Sequence, residues 1–218
     1  MDLGAGPVLA FDTSGPCCAV ALLLGATHVE RCEDLGRGQA ERLFPLVEDV
    51  LAETCTAWAD LAGIGVGSGP GNFTGIRIAV AAARGLSLAL GRPAVGVSRL
   101  EAQALDLPRP VVSTVAAPRG ALYLQTFDAA GSSQPVMLTS EDIATARLPA
   151  TAAVTGDAAD RIAAVTGGPV APPVFPLAVA IARIARQRLG QPAMRPAPLY
   201  LRPADAAPSR DAAPRLIG

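Results

Sequence analysis

Two glycine-bearing turns in the first third of the chain contain residue types that can hold a phosphate. The first turn, FDTSGP, ends an apolar run at Asp12 and continues with Thr13 and Ser14. The second turn, GSGPGNFTG, places Gly69 and Gly71 just before a helical pattern. Backbone N–H groups in such turns and at helix starts attract anions. These five residues therefore form a candidate nucleotide-binding site.

The same segments support a different interpretation. An Asp-Thr-Ser-Gly sequence is also an ordinary hairpin turn. After the second turn, small residues recur every four positions from Gly75 to Ser87 and form a flat stripe that allows another helix to approach closely. Arg77 and Arg84 lie seven residues apart, either as the polar rim of a contact or as solvated residues. We expect packing or protein contact here rather than nucleotide binding, with a candidate interface of Phe73, Thr74, Gly75, Arg77, Ile78, Ala79, Ala82 and Ala83.

The composition excludes several kinds of chemistry. The 18 basic residues are all arginines, which removes the lysine of a Walker A loop and any Schiff-base lysine. The one histidine, His28, cannot build a histidine-based metal site by itself. The four cysteines, Cys17, Cys18, Cys32 and Cys55, have spacings that favour neither zinc nor a disulfide, so we expect reduced thiols.

The charge pattern bears on partners and location. A net charge of −1 provides no broad electrostatic surface for nucleic acid or an anionic membrane, so we do not expect direct RNA binding to be the main role. The apolar N-terminal run has no basic residue before Arg31 and does not resemble a signal peptide. The apolar run 76–90 contains two arginines and is too short to span a bilayer. We expect a soluble, cytoplasmic protein.

The order of the elements predicts an α/β fold. The runs PVLAFDTS, CCAVALLLG and THVERCE indicate a strand meander, and residues 39–54 have helical spacing, with Pro45 predicting a late start or a kink. A buried strand then leads into the second glycine turn, where Asn72 or Thr74 can cap a helix that Gly91 ends. The segment PAVGVSRL predicts another strand.

The second half repeats this pattern more weakly. Residues 109–131 predict strand, turn and strand, followed by a strand, a helix capped by Ser140, a further strand and two helices. The final stretch is rich in proline, alanine and arginine. We predict two lobes, residues 1–104 and the smaller 105–202, and a disordered tail, 203–218.

Several segments resemble the TsaB family, the YeaZ-like proteins of bacteria. They are AFDTSGPCCAVAL, ERLFPLVEDVL, GSGPGNFTGIRI and PLYLR, and they lie mostly in the first half of the chain. The resemblance implies an actin-like, Hsp70-like ATPase (ASKHA) fold, with two similar lobes that each contain a mixed β-sheet flanked by helices. It also implies a role in making the threonylcarbamoyl modification at adenosine-37 of tRNA.

The resemblance further implies a non-catalytic paralogue of TsaD. In that relative, two histidines after the strand following this helix bind the catalytic metal. Here Arg99 and Gln103 stand at those positions, with Glu101 between them, and neither can replace imidazole. The implied protein has no catalytic residues, no metal and no required cofactor. It is a scaffold that binds TsaD and the ATPase TsaE and forms a homodimer in isolation.

An ATP-binding ATPase or phosphotransferase of the same fold is the alternative, with ATP held by Asp12 and the two turns. Such chemistry needs a second acid, for which Asp157 is the best candidate. In the second lobe, Ala116 and Pro118 stand where relatives resemble an Asp-Ala-Arg turn, which weakens a nucleotide site there. A metallopeptidase, a third hypothesis, lacks the metal ligands.

Overall fold

Two mixed β-sheets, of five and four strands, form the frame of the protein. The computed structural model describes residues 6–192 and 194–201. The predicted α/β architecture with two like halves is confirmed. The predicted disordered tail, residues 203–218, lies outside the described residues.

The first sheet has the strand order β3-β2-β1-β4-β5. Its strands are β1 Val8–Asp12, β2 Cys17–Leu24, β3 Thr27–Asp34, β4 Gly63–Gly67 and β5 Ala94–Val97. Strand β2 runs antiparallel to β1 and β3, whereas β1, β4 and β5 are parallel. Every residue of β1 and β4 is buried, as expected for central strands covered on both faces.

One face of this sheet is covered by helices α1 Gln39–Glu53 and α2 Phe73–Leu90. Helix α1 begins at Gln39 and continues through Pro45, so the predicted late start is wrong. Proline removes one helical N–H bond, and at an exposed position water can satisfy the freed carbonyl. In α2 the Asn72 side chain accepts the Gly75 N–H at 2.9 Å, and Gly91 ends the helix with φ 62°, as predicted.

The opposite face is covered by α3 Arg99–Gln103 and α6 Leu177–Arg188. Seven residues of α6 are buried, and they pack with Val8, Ala10 and Leu23 of β1 and β2. Helix α6 lies within the segment predicted as the second lobe, 105–202, yet its apolar stripe fills the first sheet's uncovered face. Residues 177–188 therefore belong with the first lobe, and the boundary near residue 104 stays a prediction.

The second sheet has the order β8-β7-β6-β9. Its elements are β6 Val111–Ala116, β7 Leu122–Phe127, β8 Val136–Leu138, α4 Ser140–Ile143, β9 Ala153–Gly156 and α5 Ala159–Thr166. Strand β6 pairs antiparallel with β7 and parallel with β9. The cap of α4 is Thr139 rather than the predicted Ser140, because the Thr139 hydroxyl accepts the Asp142 N–H while Ser140 donates to the Gly120 carbonyl.

The structure brings the side chains of Cys17 and Cys32 together across strands β2 and β3, with Cα atoms 6.0 Å apart. The expectation of reduced thiols stays a prediction for this pair. Adjacent antiparallel strands brought together two cysteines that are separated by 15 positions in sequence. Cys18 and Cys55 are free, the former buried and the latter exposed.

Candidate functional site

The first glycine-bearing turn is built around a buried carboxylate. Asp12 ends β1 and is 1% exposed. Its Oδ1 accepts both the Ser14 N–H and the Ser14 hydroxyl at 2.9 Å. Burial raises the pKa of Asp12, and the Arg99 charge and the Ser14 hydrogen bonds act in the opposite direction. Much of the carboxylate's accepting capacity is thus used within its own turn.

The two predicted phosphate-binding turns lie against each other. The Thr13 hydroxyl donates to the Gly75 carbonyl at 2.7 Å, and the Asn72 N–H donates to the Ser14 carbonyl at 2.7 Å. A Cβ at Gly75 would overlap the Thr13 carbonyl oxygen, and one at Gly71 would overlap that of Ser14. Close backbone contact therefore explains why glycine is needed at both positions.

All five residues of the predicted nucleotide site fall in this cluster. Gly69 supplies the turn with φ 91°, a left-handed conformation that favours glycine. The start of helix α2, where an anion was predicted, is in contact with the backbone of Thr13 and Ser14. The cluster thus joins two parts of the first lobe, and nucleotide binding there stays a prediction.

Arg99 connects the two lobes. It is the first residue of α3, and its side chain is 15% exposed and lies beside Gly15. Its Nη2 is 3.5 Å from Oδ2 of Asp157, which follows β9 in the second lobe. The other Asp157 oxygen accepts the Ala116 N–H at 2.6 Å. Asp157, the predicted second acid for catalysis, makes this bridging contact in the structure.

The other residues matched to the metal-binding segment of TsaD also bond to neighbouring elements. Glu101 pairs with Arg188 of helix α6. Gln103 is 8% exposed and accepts the Ser113 hydroxyl at 3.1 Å. Across residues 6–192 and 194–201, no three His, Cys, Asp or Glu side chains cluster as metal ligands would. The segment that contains Arg99, Glu101 and Gln103 holds α3 against the second lobe and α6.

A cavity of about 90 Å³ lies beside these residues. Its lining consists of Arg99, Ala102, Gln103, Pro173, Phe175 and Leu177. Small-molecule pockets usually measure roughly 300–1,000 Å³. The cavity is therefore too small for a nucleotide as it stands.

The small stripe of α2 faces into the protein's own core. Ala79 and Ala83 are 0% exposed and pack with Phe11 and Val66 of the first sheet, and Gly75 is buried beside Thr13. The prediction that these three residues contact a partner is wrong. The spacing of small residues along a helix cannot distinguish a face that packs on another protein from a face that packs on a sheet. Both contacts favour small side chains.

The outward side of α2 is nevertheless apolar. Phe73 is 53% exposed and Leu88 is 87% exposed, and Phe44 on the neighbouring α1 is 42% exposed. Thr74 and Arg77 are also exposed, whereas Ile78 and Ala82 are partly buried. We call this outward surface the α1–α2 face, with Phe44, Phe73, Ile78, Ala81, Ala82 and Leu88 as its apolar residues. Phe44 and Leu88 were not predicted as site residues, although their helical spacing from the buried residues indicates that they lie on this outward side.

Helix α2 is the one helix in the described chain that is long and apolar enough by composition to cross a membrane. Its 18 residues have a mean hydropathy of 1.4. Five of them, Gly75, Ile76, Ala79, Val80 and Ala83, are buried in the first lobe. The helix is thus an integral part of this lobe and presents its remaining apolar residues outward.

Residues 194–201 run along the side of α2 that faces away from α1. Tyr200 stacks on Phe73 with ring centroids 5.4 Å apart, and its hydroxyl accepts the Arg77 Nε–H at 2.8 Å. The Arg84 Nε–H donates to the Pro196 carbonyl at 2.7 Å. Leu201 packs against the cluster of Leu100, Val115 and Tyr123. The PLYLR segment contributes to the resemblance to the TsaB family, but its contact with α2 was not predicted.

The two lobes, each with a mixed sheet and joined through α3, define an actin-like ATPase fold. The family model for TsaD, described as tRNA N6-adenosine threonylcarbamoyltransferase, matches residues 33–194. The chain belongs to this family.

Individual relatives confirm the predicted resemblance to TsaB (YeaZ). The tRNA threonylcarbamoyladenosine biosynthesis protein TsaB of Escherichia coli is 40% identical over 96 residues, which cover 43% of this chain and 40% of that protein. The aligned segments thus span about two fifths of the curated relatives' length.

Two solved structures from Pseudomonas aeruginosa resemble the whole fold. One is YeaZ, with a TM-score of 0.73, and the other is a protein described as similar to the peptidase YEAZ, with a TM-score of 0.76. Each is 26% identical to this chain, covers 90% of it and is itself covered completely.

Proposed function

We propose that the protein is a non-catalytic scaffold subunit in the biosynthesis of N6-threonylcarbamoyladenosine at position 37 of tRNA. In this proposal it binds the catalytic subunit TsaD and supports the ATPase TsaE, contacts tRNA only indirectly, and acts in the cytoplasm. The name of the E. coli relative supports the pathway. The observation that carries the scaffold role is the α1–α2 face, where Phe44, Phe73 and Leu88 are exposed on adjacent helices.

An exposed apolar surface of this kind favours a protein partner. Aromatic and arginine side chains are enriched in protein interfaces, and both occur here in Phe44, Phe73, Arg77 and Arg84. The face belongs to two helices held rigidly on a buried sheet, so little ordering is needed on binding. In isolation the same face would hold a second copy of the chain, which TsaD would displace.

The chemistry of the site also favours a scaffold over an enzyme. Arg99, Glu101 and Gln103 are engaged by Asp157, Arg188 and Ser113, respectively. Asp12 is 1% exposed and held by Ser14, which limits its access to a metal or a substrate. These residues therefore stabilise the fold rather than catalyse a reaction.

Size-exclusion chromatography with light scattering, alone and with TsaD from the same organism, tests the proposal. The wild type is expected to form a one-to-one complex. Leu88→Glu should weaken it by about tenfold or more, because a charge replaces an exposed apolar contact without disturbing the core. Val165→Glu is the matched control, since Val165 is 45% exposed in the second lobe, and it should bind like the wild type. A wild type indifferent to TsaD would refute the scaffold role.

The ATPase or phosphotransferase alternative is kept because Asp12, Thr13, Ser14, Gly69 and Gly71 do come together. It predicts that ATP raises the melting temperature of the isolated protein and that Asp12→Asn abolishes this effect. The scaffold proposal predicts that Asp12→Asn binds TsaD as the wild type does. A variant that keeps its fold but loses pathway activity while still binding TsaD would favour the enzyme.

A further inference from the structure

Two cysteines lie on the same side of the hairpin formed by β2 and β3. Cys32 is directly opposite Ala19 in this antiparallel pair, and opposed residues of a sheet point to the same face. Cys17 precedes Ala19 by two positions, which places it on that face as well. Ala19 packs in one cluster with Ala178 of α6. Both cysteines are therefore on the α6 side of the first sheet.

The distance between the two cysteines fits a disulfide bond. Their Cα atoms are 6.0 Å apart, and the Cα atoms of bridged cysteines usually lie about 4.4–6.8 Å apart. The paired strands are in continuous register from the pair of Cys17 with Asp34 to the pair of Leu24 with Thr27. The register holds the two thiols near each other, so a bond between them needs no rearrangement of the backbone.

The other two cysteines are poor competitors for this bond. Cys32 is exposed and Cys17 is partly buried. Cys18 is buried in the core on the opposite face, and burial raises its pKa to about 11, so little of its reactive thiolate is present at neutral pH. Cys55 follows α1, which also covers that opposite face. Of the four cysteines, only Cys17 and Cys32 are both accessible and close to each other.

Strand β3 is an edge strand, and this makes a bond at Cys32 mechanically useful. On the α1 side of the sheet, Glu33 and Arg31 of β3 form ion pairs with Arg42 and Glu53 of α1. These ion pairs are largely solvent-accessible, and such pairs contribute little to stability. A covalent link on the α6 side would restrain the same strand from its other face.

We propose that Cys17 and Cys32 form a reversible oxidation site, a dithiol that a small disulfide such as glutathione disulfide converts to an intramolecular disulfide. The exposed Cys32 thiolate attacks one sulfur of glutathione disulfide, forms a mixed disulfide and releases one glutathione thiolate. The Cys17 thiolate then attacks the Cys32 sulfur and releases the second glutathione thiolate. The two released thiolates take up the protons that the cysteines lost. Two cysteine thiols are thus oxidised while one glutathione disulfide is reduced to two thiols.

The bond restrains β3 against β2. This inference does not depend on the proposed function, since it concerns the opposite face of the sheet from α1 and α2.

Non-reducing peptide mapping tests the bond. The reduced native protein is incubated with excess glutathione disulfide, its remaining thiols are alkylated, and trypsin cleaves it after arginine. Cleavage after Arg31 and Arg37 places Cys32 in the peptide 32–37 and Cys17 in the peptide that ends at Arg31. We expect these two peptides to be joined, and a reducing agent to separate them. The native protein should form the link at least about tenfold faster than guanidinium-unfolded protein, because the fold holds the thiols together.

Two variants assign the bond, with circular dichroism to check that each is folded. Cys17→Ser should abolish the link and leave Cys32 with a glutathione adduct, because the second step has no attacking thiol. Cys18→Ala is the matched control. It removes the neighbouring thiol on the opposite face and should form the link as the wild type does. A link through Cys18 or Cys55, a lasting glutathione adduct on Cys32 of the wild type, or a pair that stays reduced in excess oxidant would overturn the inference.

Hydrogen exchange tests the effect of the bond on the sheet. Amide exchange in β3 should be at least about threefold slower in the oxidised than in the reduced wild type, because the link limits the opening of this edge strand. Exchange in β7 of the second lobe should not change. Cys17→Ser under the same oxidising conditions should show no slowing in β3. Equal exchange in β3 of the oxidised and reduced wild type would refute the proposed restraint.

Discussion

The first and second lobes share one strand arrangement but differ in the residues at the end of their central strand. In the first lobe, β1 pairs antiparallel with β2 and parallel with β4. In the second lobe, β6 pairs antiparallel with β7 and parallel with β9. The first lobe ends this strand with the buried Asp12. The second ends it with Ala116, whose N–H is bonded by the exposed Asp157.

Glycine is retained where the two lobes need close backbone approach. A Cβ at Gly67 would overlap the Asp12 carboxylate, and a Cβ at Gly156 would overlap the Thr114 carbonyl. Both glycines lie at the end of the strand parallel to the central one. The two lobes therefore share the backbone arrangement at the ends of these strands, whereas the side chains in their turns differ.

The lobes also differ in the helices that cover them. The first has α1 and α2, of 15 and 18 residues, while the second has α4 and α5, of 4 and 8 residues. Longer helices bury more apolar surface and leave a longer outward side. This difference explains why the proposed docking face lies on the first lobe.

The largest expected effect comes from Gly75→Ala in the first lobe. The new Cβ would overlap the Thr13 carbonyl, which is backbone and cannot move freely, so unfolding free energy should fall by about 3 kcal/mol or more. Gly85→Ala in the same helix meets no atom within 4 Å and should raise stability by about 0.5–1 kcal/mol. Urea denaturation measures both. Equal effects would show that the contact between the two turns is absent.

A second prediction uses pH to distinguish carboxylates of the two lobes. Burial raises the folded pKa of Asp12 above its ordinary value of 3.8, so between 3.8 and that pKa the native state keeps a proton that the unfolded state has lost. Stability should therefore fall as pH rises through this window, by about 1.4 kcal/mol per pH unit relative to Asp12→Asn. Above the folded pKa the difference should be constant.

For Asp142 of the second lobe, stability changes with pH in the opposite direction. Hydrogen bonds from Thr139 lower the pKa of Asp142, so its stabilising contribution is present above pH 3.8 and is lost as pH falls through its folded pKa. Asp142→Asn should remove that loss. Denaturation curves collected from pH 3 to 8 compare the two variants, and differences of the same sign would contradict the assignment.

The smallest loss of stability is expected for Asp157→Ala. It removes the acceptor for the Ala116 N–H and the partner of Arg99, but Asp157 is exposed, so water can replace it and the cost should be about 1 kcal/mol. Hydrogen exchange at the Ala116 amide should quicken, while exchange in β1 and β4 should not change. Faster exchange throughout both lobes would indicate that Asp157 holds more of the structure than its contacts suggest.

Sequence patterns predicted local structure well and long-range placement poorly. The apolar runs of β1 and β2 and the cap at Asn72 are local signals, and both predictions are confirmed. The helical spacing of the small residues from Gly75 to Ala83 was predicted correctly, but these residues pack on the first sheet rather than on a partner. Small residues suit both kinds of contact. The Cys17–Cys32 pair depended on strand register, which no short segment specifies.

Residues 194–201 show the same limit. They were predicted only as the end of the second lobe, but their prolines suit an extended segment that runs along a helix. The contact of Tyr200 with Phe73 and Arg77 spans more than 120 positions. No local pattern could have predicted it.

Helix α6 makes completion of the first lobe a late event during synthesis. Its side chains cover residues such as Val8, Ala10, Ala19 and Ala21, which leave the ribosome long before residues 177–188 do. Until then one side of the sheet is bare, and a nascent chain in this state is exposed to aggregation. We expect a fragment ending at residue 104 to need a chaperone or to precipitate, and adding back α6 in trans to rescue it.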